Sequence, residues 1–228
     1  FVCAPLHALV LRGATTTSTR AKGAVPVTKA WWQFVGSAPF LLVSAFLLMM
    51  TAVSSALPAH MVSLLREAGM HESWVIAIPA SIGAFQVLGR LLLFFFESRF
   101  DLHLANRVIP GLIPLGLVAL LVAPWLGAGQ TVVVVAFVVL FGMGNGMLTI
   151  VKGTAMAQYV SRDHMASLNG ALGLPLAFAR AAAPLVLGSM WSQEGGYRNG
   201  LWVLLVTACL GVAALYRAQM RTSALGPP

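Results

Sequence analysis

The chain has 228 residues, 59% hydrophobic and only 9% charged, and a soluble domain of this length cannot cover its surface with so little polarity. The net charge of +8 follows the ends of apolar stretches rather than gathering into one basic face. It therefore reads as membrane topology and not as a nucleic-acid footprint. Composition thus excludes a soluble globular domain and points to an integral membrane protein.

Residues 1–11 are apolar but only about half the length of a span, and their cations follow rather than precede them, unlike a signal peptide. They read as the end of a preceding transmembrane helix, so that the chain looks like the second half of something larger. Residues 12–37 form a cytoplasmic linker in this reading, since residues 13–29 are rich in Thr, Ser, Gly and basic side chains. A spanning helix needs about 20 mostly apolar residues. Six stretches qualify, at 38–65, 73–97, 108–125, 131–158, 166–190 and 199–217, making a bundle over 38–217 before a cytoplasmic tail at 218–228. Runs such as residues 132–141 are apolar on every side, which excludes the alternation of a membrane β-barrel and makes the spans helices.

Nine cations, Arg12, Arg20, Lys22, Lys29, Arg99, Arg107, Arg162, Arg217 and Arg221, fall on one side of these spans, against Arg66 and Arg198 on the other. The positive-inside bias then places both termini in the cytoplasm of a multi-pass protein, with the plasma (inner) membrane as the expected location. Cys3 and Cys209 lie apart in apolar sequence, so the spacing suggests no disulfide framework, metal site or redox cofactor.

Polar side chains are shared unequally among the helices. The third span carries nothing more polar than glycine and proline, and the sixth only Thr207 and Cys209, so these two can face lipid. The first holds Thr51, Ser54, Ser55 and His60, the second Ser81, Gln86 and Arg90, the fourth Asn145, Thr149, Lys152, Thr154 and Gln158, and the fifth Asn169 and Arg180. Their spacings follow the 3.6 period: Gln86 and Arg90 are four apart, Asn145, Thr149 and Lys152 are spaced by four and three, and Asn169 and Arg180, eleven apart, return to nearly one angle. Thr51, Ser55 and Pro58 make a similar stripe on the first helix, and Pro58, Pro79, Pro175 and Pro184 interrupt three of the four polar helices.

Arg90, Lys152 and Arg180 stand in apolar stretches whose one acidic residue is Glu97 at a rim. An ionisable group in hydrocarbon costs several kcal/mol unless it faces a cavity or partner, which makes each a site candidate. Each also has a structural reading: Arg90 pairing with Glu97, Lys152 snorkelling to the headgroups on its long stem, and Arg180 pairing with a carboxylate outside this chain. His60 is a proton sensor or a wall residue, and Asn145 a ligand contact or a helix-packing hydrogen bond. The Gly142, Gly144, Gly146 run sits inside a span with no strand before it, and so reads as close helix packing rather than a dinucleotide loop.

Several of these residues resemble the C-terminal six-helix half of a major facilitator superfamily transporter. Gly89-Arg90 followed by Glu97, Ser98 and Arg99 is similar to the gating-loop motif between the second and third helices of such a half, with Glu-Ser-Arg where Asp-Arg is usual. Phe141-Gly142-Met143-Gly144-Asn145-Gly146, Arg162, Asn169-Gly170 and Ala183-Pro184 with Gly188 are similar to its fourth and fifth helices. The resemblance implies a 12-helix transporter working by alternating access. Its partner would be the N-terminal six-helix half or a second copy, and its site would be a central cavity lined by Arg180, Arg90, Lys152, Asn145, Gln86, Asn169 and Thr51. Cationic lining favours a small anionic organic solute. No cofactor or metal is expected, and no enzyme activity, since GxSxG, HExxH and paired acids within the spans are absent from the sequence. A non-transporting membrane subunit or scaffold, or an exporter of drug/proton type, remains the alternative.

Overall fold

The computed structural model describes residues 32–96 and 102–224. After a single helical turn at Trp32–Val35, the helices are α1 (Ala38–Glu67), α2 (Glu72–Phe96), α3 (Leu102–Val108), α4 (Leu112–Val122), α5 (Gln130–Tyr159), α6 (Met165–Ala171), α7 (Gly173–Ser189) and α8 (Arg198–Ala224). Five helical segments are long and apolar enough to cross a membrane, counting Leu104–Trp125 as one, and α6 with α7 makes six if the bent pair is one span. Among the described residues the fold is all-helical, that of a multi-pass membrane protein by length and composition, with boundaries close to those expected from hydropathy.

The differences have local causes. The linker reading stops short at its described end, because the turn at Trp32–Val35 is helical and the Ser37 hydroxyl caps α1, accepting from the Phe40 N–H at 3.3 Å. The third span begins earlier than residue 108, in α3, and passes through a 3₁₀ turn at Ile109–Gly111 before α4. Pro110 lacks the N–H that would bond to the Asn106 carbonyl, so the α-helical ladder tightens there. The fifth span is two helices, bent by 42°: the Pro175 ring opposes the carbonyl of Ala171, where α6 ends. Finally, α8 continues to Ala224, so residues 218–224 of the expected tail are helical.

α1 and α5 touch each other at the centre. α5 packs between α2 and α4, α1 between α7 and α8, and α4 meets α8 behind them. The core is correspondingly built from Phe46, Met50, Leu57, Met61 and Leu65 of α1, Phe137, Phe141 and Leu148 of α5, and Ile113 and Leu117 of α4, all essentially inaccessible. α7 buries only Leu187, leaving Leu174 82%, Phe178 73% and Leu185 75% exposed.

Alternating glycines let α5 serve two neighbours. A Cβ on Gly142 would lie 2.7 Å from the Phe85 Cβ and one on Gly146 would overlap the Gln86 backbone, both on α2, while one on Gly144 would lie 2.8 Å from the Leu112 Cβ on α4. Gly89 returns the contact, since its Cβ would sit 2.6 Å from the Met143 carbonyl oxygen. Close backbone approach through small residues is how membrane helices gain packing energy where burial from water supplies none. Gly146→Ala is accordingly expected to destabilise by about 1–3 kcal/mol. Gly153→Ala, where the added methyl meets nothing within 4 Å, should leave stability unchanged or slightly raised, and thermal unfolding in one detergent compares the two.

Candidate functional site

The α2–α5 contact sets the geometry of the polar residues near mid-span. Gln86 and Arg90 lie one turn apart on α2 beside the Gly146 backbone, whose carbonyl accepts from the Thr149 hydroxyl at 2.7 Å and from Arg90 Nε at 3.4 Å. Arg90 is exposed and Gln86 is half-buried. On the opposite flank, Ser54 of α1 donates to Asn145 Oδ1 at 2.8 Å. This gives the Asn145 oxygen the helix-packing role among the two expected for it, and leaves its amide hydrogens without a described acceptor.

Lys152 is partly buried on α5 and Arg180 is exposed on α7. The described carboxylates are Glu67, Glu72 and Glu194 at one end of the bundle and Asp163 at the other, and the ion pair among the described residues is Arg66–Glu72 at 2.5 Å. No described carboxylate therefore pairs with Arg90, Lys152 or Arg180. Pro184 adds a polar backbone group: having no N–H, it leaves the Arg180 carbonyl without its helical donor.

Two expected members stand apart. Thr51 is buried within α1, its carbonyl accepting from the Ser55 hydroxyl at 2.9 Å, and it does not reach the open face. Asn169 lies on α6, across a 42° bend from Arg180 on α7, so the eleven-residue spacing does not run along one straight helix. Gly89 is a packing residue against Met143, whereas Glu97 and Arg99 of the loop motif lie outside the described residues.

Two polar clusters escaped sequence reasoning. His60 donates through Nε2 to the Pro184 carbonyl at 2.9 Å and meets the Tyr197 hydroxyl through Nδ1 at 3.1 Å, clamping α1 to α7 and to the start of α8. The carbonyl can only accept, which puts the proton of the neutral ring on Nε2. Nearer the tail-bearing end, Asn106 Nδ2 donates to Gln158 at 2.5 Å and to Tyr159 at 2.8 Å, Gln219 donates to Tyr159 at 3.1 Å, and Arg107 donates to Gln219 at 3.3 Å. Asn106 and Gln219 fall outside the spans expected from hydropathy, so nothing in the local pattern marked them as buried.

No protein-family model matches the chain, and comparison with curated proteins finds no match. A double-mutant cycle of Ser54→Ala and Asn145→Ala, read by thermal unfolding, is expected to give a coupling of about 0.6–1.7 kcal/mol, the range for hydrogen bonds between membrane helices. Strictly additive effects would remove the interhelical bond from the site.

Proposed function

We propose that the chain is a six-helix half of an alternating-access secondary transporter, similar to the C-terminal half of a major facilitator superfamily protein, and that its solute is a small organic anion. The supporting observation is the set of three cations, on α2, α5 and α7, that no described carboxylate neutralises. Guanidinium and ammonium groups held without counter-charges in an apolar setting gain most from an anion that brings its own charge. The Arg180 fork suits a carboxylate, Lys152 supplies a second positive charge beside it, and the spare amide hydrogens of Asn145 offer a neutral donor.

The outward faces of α2 and α7 fit the same reading. In a two-bundle transporter the halves meet along such faces and enclose the site between them, and rocking of one bundle on the other exposes it to each side in turn. Proline interruptions in α1, α2 and α7 supply helices that bend where the cavity must open and close. The exposed apolar side chains of α7 also suit a second reading, a non-transporting subunit that packs against a partner and binds no solute.

A panel of small carboxylates tested for their shift of thermal unfolding separates these readings. One or more anions should stabilise the wild type and a Thr207→Ala control alike, whereas Arg180→Gln should weaken that binding ten- to a hundredfold, the loss of a charge-assisted contact worth about 1.5–3 kcal/mol. Uptake into membrane vesicles should fall with it while the variant remains in the membrane. Equal loss in both variants would sink the assignment to this face, and absence of any anion response would favour the subunit.

A further inference from the structure

A cleft of about 490 Å³ opens at the end of the bundle where α1 and α4 end and α5 and α8 begin. Its depth is apolar, walled by Leu64, Leu65, Leu121, Val134 and Leu201. Its rim is polar and built by hydrogen bonds that cross between connections: Gln130 Nε2 donates to the Ala68 carbonyl at 2.8 Å, and Trp191 Nε1 donates to Glu67 Oε1 at 2.6 Å. The second Glu67 oxygen faces Gly196, where a Cβ would come within 2.8 Å of it and where φ is +53°. That position is thus reserved for glycine by both space and conformation, and the carboxylate is seated rather than loose.

Arg198 lines the same rim, and no described carboxylate lies within ion-pair distance of it. The cleft therefore presents one held anion and one uncompensated cation above an apolar slot. It lies at the level where spans end, beside Trp125 and Trp191, 70% and 44% exposed, the depth at which aromatic side chains meet the headgroups. We propose that this cleft binds a phospholipid with a primary-amine headgroup. The ammonium donates to Glu67, the phosphate pairs with Arg198, and an acyl chain enters the slot. A primary amine fits better than a quaternary one because the seated carboxylate has lone pairs that only N–H donors can use. A soluble zwitterion would leave the apolar depth unfilled.

The test is retention of added phospholipid by the full chain in detergent, measured by native mass spectrometry with phosphatidylethanolamine, phosphatidylcholine and phosphatidylglycerol of matched chains. Phosphatidylethanolamine should be retained at least tenfold better than the other two. Glu67→Gln keeps an oxygen to accept from Trp191, so the rim should persist; this variant should lose the preference while holding phosphatidylglycerol as the wild type does. Arg198→Gln should weaken all three lipids. Equal retention of the three by the wild type, or a preference untouched by Glu67→Gln, would overturn the proposal. So would competition by free phosphoethanolamine at concentrations equal to the lipid's, which would mark a site for a soluble zwitterion.

Discussion

The approach of α5 to α2 and α4 at backbone distance is the constraint on which the rest of the bundle depends. Gly142 and Gly146 face one neighbour and Gly144 the other, so a single helix is in close contact on two sides with no side chain of its own at those points. Because lipid tails are as apolar as leucine, such contact supplies dispersion energy that hydrophobic burial cannot supply within a bilayer. The same closeness lets the Gly146 carbonyl meet the Arg90 guanidinium. Packing and the candidate site are therefore one arrangement: whatever separates α2 from α5 also displaces Arg90.

Around this seam, polar contacts are pegs at three levels. His60 holds α1 to α7 toward one end, Ser54 and Asn145 join α1 to α5 near the middle, and Asn106, Tyr159 and Gln219 join α3, α5 and α8 toward the other end. Hydrogen bonds between membrane helices are individually modest. Their directionality nevertheless selects one rotation of each helix, which uniformly apolar surfaces would leave undetermined. The buried Asn106 Oδ1 has no partner, a site with room in its bonding for one further donor.

The cations stand outside this pegged framework. Arg90 reaches it by a single long hydrogen bond, and Lys152 and Arg180 pair with no described carboxylate. Structural ion pairs would have been built with their partners. Among the described residues the carboxylates lie toward the helix ends, one pairing with arginine and another accepting from an indole, and none of them pairs with the three cations. That absence of a described carboxylate beside the three cations is what the proposed function rests on.

The sequence by itself determined the helices and most of their ends, because spanning is a local property: an apolar run either reaches across about 30 Å of hydrocarbon or it does not. It also marked the glycine run as packing and singled out three cations by their cost. Tertiary structure alone decided who meets whom. Thr51 and Ser54 are three residues apart on one helix, yet the first is buried within α1 and the second bonds Asn145, a difference set by which neighbour occupies each face. Asn169 and Arg180, eleven apart and at nearly one angle on a straight helix, are separated by a 42° bend between α6 and α7. Asn106 and Gln219 lie just beyond the spans read from the sequence, at 108–125 and 199–217, and are buried because α3 and α8 extend past those ends and bond to Gln158 and Tyr159 of α5. Periodicity describes one helix at a time, and a site is made where several of them meet.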